Sequence, residues 1–194
     1  MTPAISKVIF VVLVVGWYVI RYEYARRSRR EKVVWSARGP LEIALLLISL
    51  TGLGLVPLVY VATAMPRFAA YSFHPLLAWL GLFFAIASLG MFHLTHRALG
   101  RNWSISLDVR ENHELVTEGI YRRIRHPMYS AFWLWAIAQA LLLPNWSAGF
   151  AGLGGFGILF FGRVAREERM MLEAFGDSYR AYMARTGRVF PSIL

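Results

Sequence analysis

Residues Glu111–Tyr129 read E-N-H-E-L-V-T-E-G-I-Y-R-R-I-R-H-P-M-Y, and long apolar runs lie on both sides of them. A second polar cluster, made of Arg163, Arg166, Glu167 and Glu168, follows the next pair of apolar runs. Polar segments rich in basic residues between apolar runs are typical of a polytopic membrane protein. We expect the two clusters to meet and to bind a charged cofactor at the membrane surface.

The composition of the chain supports a membrane protein. Of its 194 residues, 57% are hydrophobic and 16% are charged, where a soluble domain carries about 25% charged residues. The net charge of +10 comes from basic clusters between apolar runs, which argues against a nucleic-acid-binding stripe on a soluble fold. The absence of cysteine excludes disulfides, thiolate metal sites and a cysteine nucleophile, and we expect no metal.

Five apolar runs divide the chain. They predict an all-α integral membrane protein with five transmembrane helices, a cytoplasmic cofactor-binding segment and a carboxy-terminal helix. The spans are expected at approximately 6–23, 41–64, 75–95, 127–143 and 147–170, in a single polytopic domain over residues 1–194 whose catalytic half is 95–194. Pro57 should kink the second helix, Gly176 should break the last one, and Ser104–Val109 alternates as a short extended piece does.

The basic residues predict the orientation. If the amino terminus lies outside, five spans place the Arg21–Arg38 block, the Thr95–Pro127 segment and the carboxy-terminal tail on the cytoplasmic side. Of 21 Lys and Arg residues, only Lys7 and Arg67 then face out. The active site and the carboxy terminus are therefore expected to be cytoplasmic.

Two tightly connected helices bring the polar clusters to one depth. Asn145 lies in the turn between them, with His126 19 residues before it and Arg163 18 residues after it. At 1.5 Å per residue, both residues are about 27–29 Å from the turn along neighbouring antiparallel helices. Arg125 and His126 should therefore face Arg163 and Glu167, and ionisable residues at that depth are candidates for a functional site.

Each of these residues also has a simpler interpretation. Arg163 and Glu167 are four residues apart and can form an ion pair within one helix. Arg122, Arg123 and Arg125 can serve membrane topology or bind lipid phosphates. His126 can simply precede a helix that opens with proline, and Tyr129 can be an interfacial anchor. The joint spacing favours a site over these separate explanations.

Gly152-Leu153-Gly154-Gly155-Phe156-Gly157 formally matches the dinucleotide fingerprint GxGxxG. It lies inside an apolar run, with no preceding strand and no loop to hold a phosphate. The glycines are instead expected to allow close packing of helices in lipid.

The carboxy-terminal half, from Leu99 to Pro191, resembles the isoprenylcysteine carboxyl methyltransferase family in four ordered motifs. They are Leu99-Gly100-Arg101-Asn102-Trp103-Ser104; Glu111-x-His113-x-Leu115-Val116-Thr117-x-Gly119-x-Tyr121-Arg122-x-x-Arg125-His126-Pro127-x-Tyr129; Arg163-x-x-x-Glu167-Glu168-x-x-x-Leu172; and Phe175-Gly176-x-x-Tyr179-x-x-Tyr182. Ala131 stands two residues after Tyr129, where the family often has glycine. The amino-terminal half matches only in being helical.

The resemblance implies a membrane methyltransferase that uses S-adenosylmethionine. Its cofactor-binding residues would be His113, Leu115, Val116, Gly119, Tyr121, Arg125, His126, Pro127, Tyr129 and Glu167. Arg125 and His126 suit the cofactor's carboxylate, Tyr129 suits its sulfonium through cation–π attraction, and Glu167 suits its hydroxyls or ammonium. Arg163 and Glu167 would be the catalytic pair, with Arg163 orienting the carboxylate of a prenylated cysteine or analogue.

Several alternatives remain at this point. A phospholipid amine or a small thiol is another class of acceptor and would require a proton acceptor, for which Glu168 or a histidine is the candidate. An NADPH-dependent sterol-type reductase and a non-enzymatic membrane scaffold are the other classes of protein. The expected partners are the lipid bilayer and a lipidic acceptor, and the sequence does not indicate an oligomeric state.

Overall fold

Six α-helices form most of the described part of the chain, which comprises residues 1–28, 33–36, 39–100, 108–110 and 115–192 of a computed structural model. They are α1 (Pro3–Ser28), α2 (Pro40–Leu50), α3 (Val56–Thr63), α4 (Pro75–Leu99), α5 (Pro127–Leu142) and α6 (Trp146–Arg185). Strands β1 (Val33–Ser36) and β2 (Asp108–Arg110) pair antiparallel. β2 overlaps the extended piece expected from the sequence, of which residues 104–107 lie outside the described ranges. The mainly helical fold predicted from the apolar runs is confirmed.

Among the described residues, four helical stretches are long and apolar enough to cross a membrane: Pro3–Tyr24, Pro40–Thr63, Pro75–Leu99 and Trp146–Arg185. α5 has only 16 residues, about 24 Å at 1.5 Å per residue, against a hydrocarbon core of about 30 Å. The chain is therefore an integral membrane protein. That α5 also spans the membrane stays a prediction, and so does the assignment of the whole chain to a single domain.

The second predicted helix is interrupted next to Pro57, where a π-helical turn (Thr51–Leu55) separates α2 from α3. The backbone N–H of Val56 bonds to the carbonyl of Thr51, five residues back. Gly52 would take its own partner five residues on at Pro57, which has no N–H to donate. Instead, the side-chain amide of Gln139 donates to the Gly52 carbonyl at 3.0 Å and to that of Ala148 at 2.7 Å. This buried amide ties α5 to the π turn and to α6.

Glycines bring α6 and the second helix into close contact. A Cβ added to Gly155 would lie 2.8 Å from the carbonyl oxygen of Ile48, and one added to Gly52 would lie 2.3 Å from that of Ala151. A Cβ on Gly152 would lie 2.8 Å from the side-chain oxygen of Gln139. The prediction that the glycines of the GxGxxG match serve helix packing is confirmed at Gly152 and Gly155. It is not confirmed at Gly154, whose Cβ would meet nothing within 4 Å.

The turn between α5 and α6 is held by Asn145. Its side chain caps α6 by accepting from the N–H of Ala148 at 2.9 Å and donates to the carbonyl of Pro66 at 2.8 Å. α6 then continues for 40 residues and is interrupted at Gly176, whose φ of 53° is left-handed. The break predicted at this glycine is confirmed. Beneath the polar ends of the hairpin, Leu45, Tyr129, Phe156, Leu159, Phe160 and Val164 form one apolar cluster.

Candidate active site

One cavity of about 560 Å³ runs between the polar ends of α5 and α6 and the apolar middle of the bundle. Eight residues predicted for the site line it: Leu115, Val116, Tyr121, Arg125, His126, Tyr129, Arg163 and Glu167. Gly119 and Pro127 are not in its wall. Gly119, with φ of 60°, opens the 3-10 turn Gly119–Arg122, and Pro127 is the first residue of α5. His113 lies outside the described residues.

The start of α5 fixes two of these side chains. The fixed φ of proline suits the first helical position, which Pro127 occupies. The ring of His126, the residue before it, lies against Glu167 and Glu168 of α6. Tyr129 follows one turn later, with its ring stacked on that of His126 at 5.4 Å between centroids. The sequence Arg-His-Pro-x-Tyr therefore places an imidazole and a phenol side by side at the polar end of the cavity.

Glu167 of α6 is the meeting point of the two polar clusters. The hydroxyl of Tyr129 donates to its Oε2 at 2.5 Å, Nδ1 of His126 lies 3.7 Å from its Oε1, and Nε of Arg163 lies 3.7 Å from its Oε2. Of the expectation that Arg125 and His126 face Arg163 and Glu167, the contact of His126 with Glu167 is confirmed. Arg125 instead contacts Glu168. A carboxylate bound by a phenol and flanked by cationic groups can hold both a ligand and the side chains around it.

The neighbouring carboxylate, Glu168, points away from the cavity and binds three basic side chains. Nε of Arg125 lies 3.3 Å and Nε2 of His126 lies 3.4 Å from its Oε1. Arg188 makes a two-bond contact, from Nε at 3.0 Å and from Nη2 at 2.5 Å. Glu168 thereby supports His126 from behind, while Glu167 contacts it within the site.

Residues 186–189, which we call the strap, lie along the residues that precede α5. The N–H groups of Arg125 and His126 donate to the carbonyls of Gly187 and Arg188, at 2.8 and 2.9 Å. Nη1 of Arg125 donates to the carbonyls of Thr186 and Met183, and the hydroxyl of Ser130 donates to that of Val189 at 2.5 Å. The strap thus fixes the backbone of Arg125 and His126 by ladder-like hydrogen bonds.

Burial and these contacts change the pKa values of the groups around α5. Burial alone would lower the pKa of His126, but the Glu167 and Glu168 carboxylates outweigh it and raise that pKa above its ordinary value. Burial raises the pKa of Tyr121 well above its usual range, and the hydrogen bonds to Glu168 raise the pKa of Arg188. His126 is therefore biased toward the imidazolium form, which suits an anionic ligand group.

Arg163 has a partner that the sequence analysis did not assign. Its Nη1 lies 2.9 Å from Oε1 of Glu42, in the first turn of α2, and Nη2 of Arg166 lies 3.5 Å from Oε2 of the same carboxylate. Glu42 is the one charged residue in the second apolar run. An ionisable residue inside a spanning segment is by itself a functional signal, and that rule would have drawn attention to it.

Away from the charged groups, the cavity becomes apolar. Its wall there comes from α2, the π turn, α5 and α6 and includes Leu46, Leu50, Leu53, Phe132, Trp135, Phe156 and Leu159. α1 adds Trp17, Tyr18 and Arg21, with the Arg21 guanidinium 5.1 Å from the Trp17 ring centroid. None of these wall residues was predicted for the site. The cavity therefore combines a polar end of both charge signs with a long apolar arm.

Known proteins are similar to part of this chain. A protein-S-isoprenylcysteine O-methyltransferase of Schizosaccharomyces pombe is 35% identical over 83 residues, which are 43% of this chain and 35% of that protein. Protein-S-isoprenylcysteine O-methyltransferase B of Arabidopsis thaliana is 32% identical over 96 residues, 48% of this chain and 49% of that protein. The chain thus spans about a third to a half of the length of these relatives.

A solved structure has a similar fold. The eukaryotic intramembrane Ras methyltransferase, an isoprenylcysteine carboxyl methyltransferase, superimposes with a TM-score of 0.52 and 23% identity over 82% of this chain and 55% of that one. At this identity the match speaks for the fold alone. The model of the isoprenylcysteine carboxyl methyltransferase family matches residues 77–173, which are half of the 194 residues. Because that match includes the hairpin that builds the polar end of the cavity, the chain belongs to the isoprenylcysteine carboxyl methyltransferase family.

Proposed function

We propose that this protein is a membrane methyltransferase that uses S-adenosylmethionine to methylate the carboxylate of a prenylated cysteine or a similar lipidic acceptor. The observation that carries the proposal is the cavity whose polar end, with Arg125, His126, Arg163 and Glu167, continues into an apolar arm. Such a cavity suits a charged cofactor and an acceptor with a hydrocarbon chain together. The names of the relatives support the same acceptor.

The residues at the polar end fit this cofactor by their chemistry. It carries a carboxylate, an ammonium, ribose hydroxyls, an adenine and a sulfonium, so its site needs both signs of charge and aromatic faces. A volume of about 560 Å³ lies within the range of roughly 300–1,000 Å³ typical of small-molecule sites. We assign His126 and Arg125 to the carboxylate, Glu167 to the hydroxyls or the ammonium, and Tyr129 to the sulfonium.

Within that assignment, Arg125 has two tasks. Its Nε and Nη1 contact Glu168 and the carbonyls of Met183 and Thr186, so it fastens the strap while it lines the cavity. Leu115, Val116 and Tyr121 line the cavity from the segment before α5, and together with His113 and Gly119 they are assigned to the adenine. Pro127 acts through the backbone by fixing the start of α5.

The protein's part in the reaction is to hold and orient its ligands. Bound S-adenosylmethionine supplies an electrophilic methyl group, and a carboxylate is already anionic near neutral pH, so no general base is required. Arg163 orients the acceptor carboxylate, and Glu167 fixes Arg163 and Tyr129. The apolar arm excludes water from the acceptor's chain. Positioning and desolvation of this kind can account for a large part of a rate enhancement.

A methyl-transfer assay with labelled donor tests the proposal. Purified protein would be given a prenylated cysteine with a free carboxylate, the methyl ester of the same compound, a phosphatidylethanolamine and a small apolar thiol. We expect label only on the free carboxylate. Label on the lipid amine or the thiol would show that this compound, and not the prenylated carboxylate, is the acceptor. Failure to bind S-adenosylhomocysteine in a calorimetric titration would overturn the methyltransferase itself.

We also propose that the amino terminus lies outside and that the site faces the cytoplasm. The distribution of basic residues supports this orientation. Because the chain has no cysteine, single cysteines can be introduced at Thr2 and Ser192 and treated with a membrane-impermeant thiol reagent in intact cells. Labelling at Thr2 and protection at Ser192 are expected, and the reverse pattern would reverse the orientation.

A further inference from the structure

A buried carboxylate lies behind Arg163, on the side away from the cavity. Glu42 is 1% exposed and is absent from the cavity wall, whereas Arg163 is part of it. Glu42 lies before residues 77–173, the part of the chain matched by the family model. Its direct contact with a residue of the cavity wall is the one with Arg163.

Two guanidinium groups and a helix amino terminus surround Glu42. It occupies the first turn of α2, where the positive end of the helix dipole favours a carboxylate. Guanidinium groups from Arg163 and Arg166 lie 2.9 and 3.5 Å from its two oxygens. A buried ion pair is costly to desolvate and adds little stability compared with apolar packing of similar volume. Its presence between two spanning helices therefore points to a role beyond stability.

We propose that Glu42 is a positioning residue that holds the guanidinium of Arg163 in the orientation needed for the acceptor carboxylate. The inference rests on the function proposed above. Arg163 is held at Nη1 by Glu42 of α2 and at Nε by Glu167 of α6, at 2.9 and 3.7 Å. Ion-pair contacts from two helices at two of its nitrogens restrict the place of the guanidinium. Small misplacements of an orienting group slow a reaction strongly, while binding of the cofactor need not change.

The test compares kcat with cofactor binding in Glu42→Gln. This substitution keeps the size of the side chain but removes its charge. At saturating donor and acceptor, we expect kcat to fall about tenfold or more, while the Kd for S-adenosylhomocysteine stays within about twofold of the wild type. A kcat within about twofold of the wild type would overturn the proposal. So would a loss of cofactor binding as large as the loss of kcat, because the carboxylate would then serve the whole site.

A matched control separates positioning from general packing of α2 on α6. Leu45 lies one turn after Glu42, is 6% exposed and packs in the apolar cluster against α6. Leu45→Ala should lower the melting temperature yet leave kcat within about threefold of the wild type. If Leu45→Ala and Glu42→Gln lower kcat equally for equal thermal shifts, the role of Glu42 is structural and the proposal falls.

Glu42→Asp keeps the charge and tests the geometry if Glu42→Gln does not fold. The shorter carboxylate cannot hold the 2.9 Å contact unless Arg163 moves, so we expect a clear loss of kcat with unchanged cofactor binding. Wild-type kcat in this variant would overturn the proposal. A different result would overturn the function proposed above, namely that the wild-type protein transfers no methyl group to the prenylated carboxylate. In that case the inference about Glu42 falls as well.

Discussion

Glu168 offers the strongest test of how the site is supported, because it binds three basic groups and does not line the cavity. The substitution Glu168→Gln keeps the volume of the side chain and removes its negative charge. The side chains of Glu168, His126 and Arg125 are 7%, 6% and 10% exposed. Their contacts lie at 3.3 and 3.4 Å and are shielded from water. Arg188 is 47% exposed, so solvent weakens the stabilisation from its ion pair with Glu168.

The size of the effect follows from this difference in exposure. Removing one partner of a buried ion pair costs about 3–5 kcal/mol, because the remaining charge is left buried. The half-exposed Arg188 adds at most about 1 kcal/mol. The side-chain amide introduced by Glu168→Gln can still accept one hydrogen bond, so we expect the free energy of unfolding to fall by about 3 kcal/mol in total. For a chain of this length, that loss corresponds to a fall in Tm of about 6–12 °C.

The measurement is thermal unfolding of purified protein in detergent micelles, followed by tryptophan fluorescence. Glu173→Gln is the control, because Glu173 is exposed on the same helix and its change should be close to zero. Glu168→Gln should also weaken binding of S-adenosylhomocysteine, since His126 loses its support. A fall in Tm no larger than that of the control would refute the reasoning that Glu168 holds the site together.

Three further substitutions test other parts of the structure. His126→Gln should lower Tm most at acidic pH, because the pKa of His126 is raised in the folded protein. The stabilisation by the imidazolium charge is then complete below about pH 6.5 and is lost as the pH rises through the raised pKa. A difference in Tm from the wild type that grows with pH would contradict this pH dependence. Gly155→Ala should lower Tm in thermal unfolding, since the added Cβ would lie 2.8 Å from the Ile48 carbonyl oxygen. The control Gly154→Ala adds a Cβ that meets nothing within 4 Å and should be neutral or stabilising by up to about 1 kcal/mol. Equal shifts in Tm for the two variants would argue against close packing at Gly155. Tyr129→Phe loses the 2.5 Å hydrogen bond to Glu167 and should weaken S-adenosylhomocysteine binding about tenfold in calorimetry. The control Tyr71→Phe loses a hydrogen bond to the Ala140 carbonyl and should leave that binding unchanged. Equal affinities in the two variants would show that Tyr129 is not part of the site.

The features that follow from helix geometry could be predicted from the sequence. The contact of His126 with Glu167 follows from the fixed rise per residue and a three-residue turn, because these set the depth of any residue in a hairpin. The break at Gly176 and the interruption near Pro57 follow from what glycine and proline do to a backbone. The π-helical form of that interruption did not follow, since it depends on the amide of Gln139.

The features that depend on lateral packing could not be predicted. Local spacing gives the depth of Glu42 but not which neighbouring helix α2 meets, so its contact with Arg163 was not foreseen. The strap was missed for a related reason. It pairs with residues about 60 positions earlier in the chain, and such non-local pairing leaves no periodic signal in the sequence. The apolar arm was missed because its wall residues also read as ordinary lipid-facing or core positions.

The strap also sets the order in which the site can form during synthesis. Arg125 and His126 leave the ribosome some 60 residues before the carbonyls of Thr186, Gly187 and Arg188 that bind them. At about 5–20 residues per second, a nascent chain exists for several seconds with α5 inserted and the backbone of these two residues unpaired. A chain arrested before residue 186 would carry every helix of the described structure without the backbone hydrogen bonds that hold Arg125 and His126. Competence for ligand binding therefore arises at one late step of translation, and a series of arrested chains would show it as a sharp threshold.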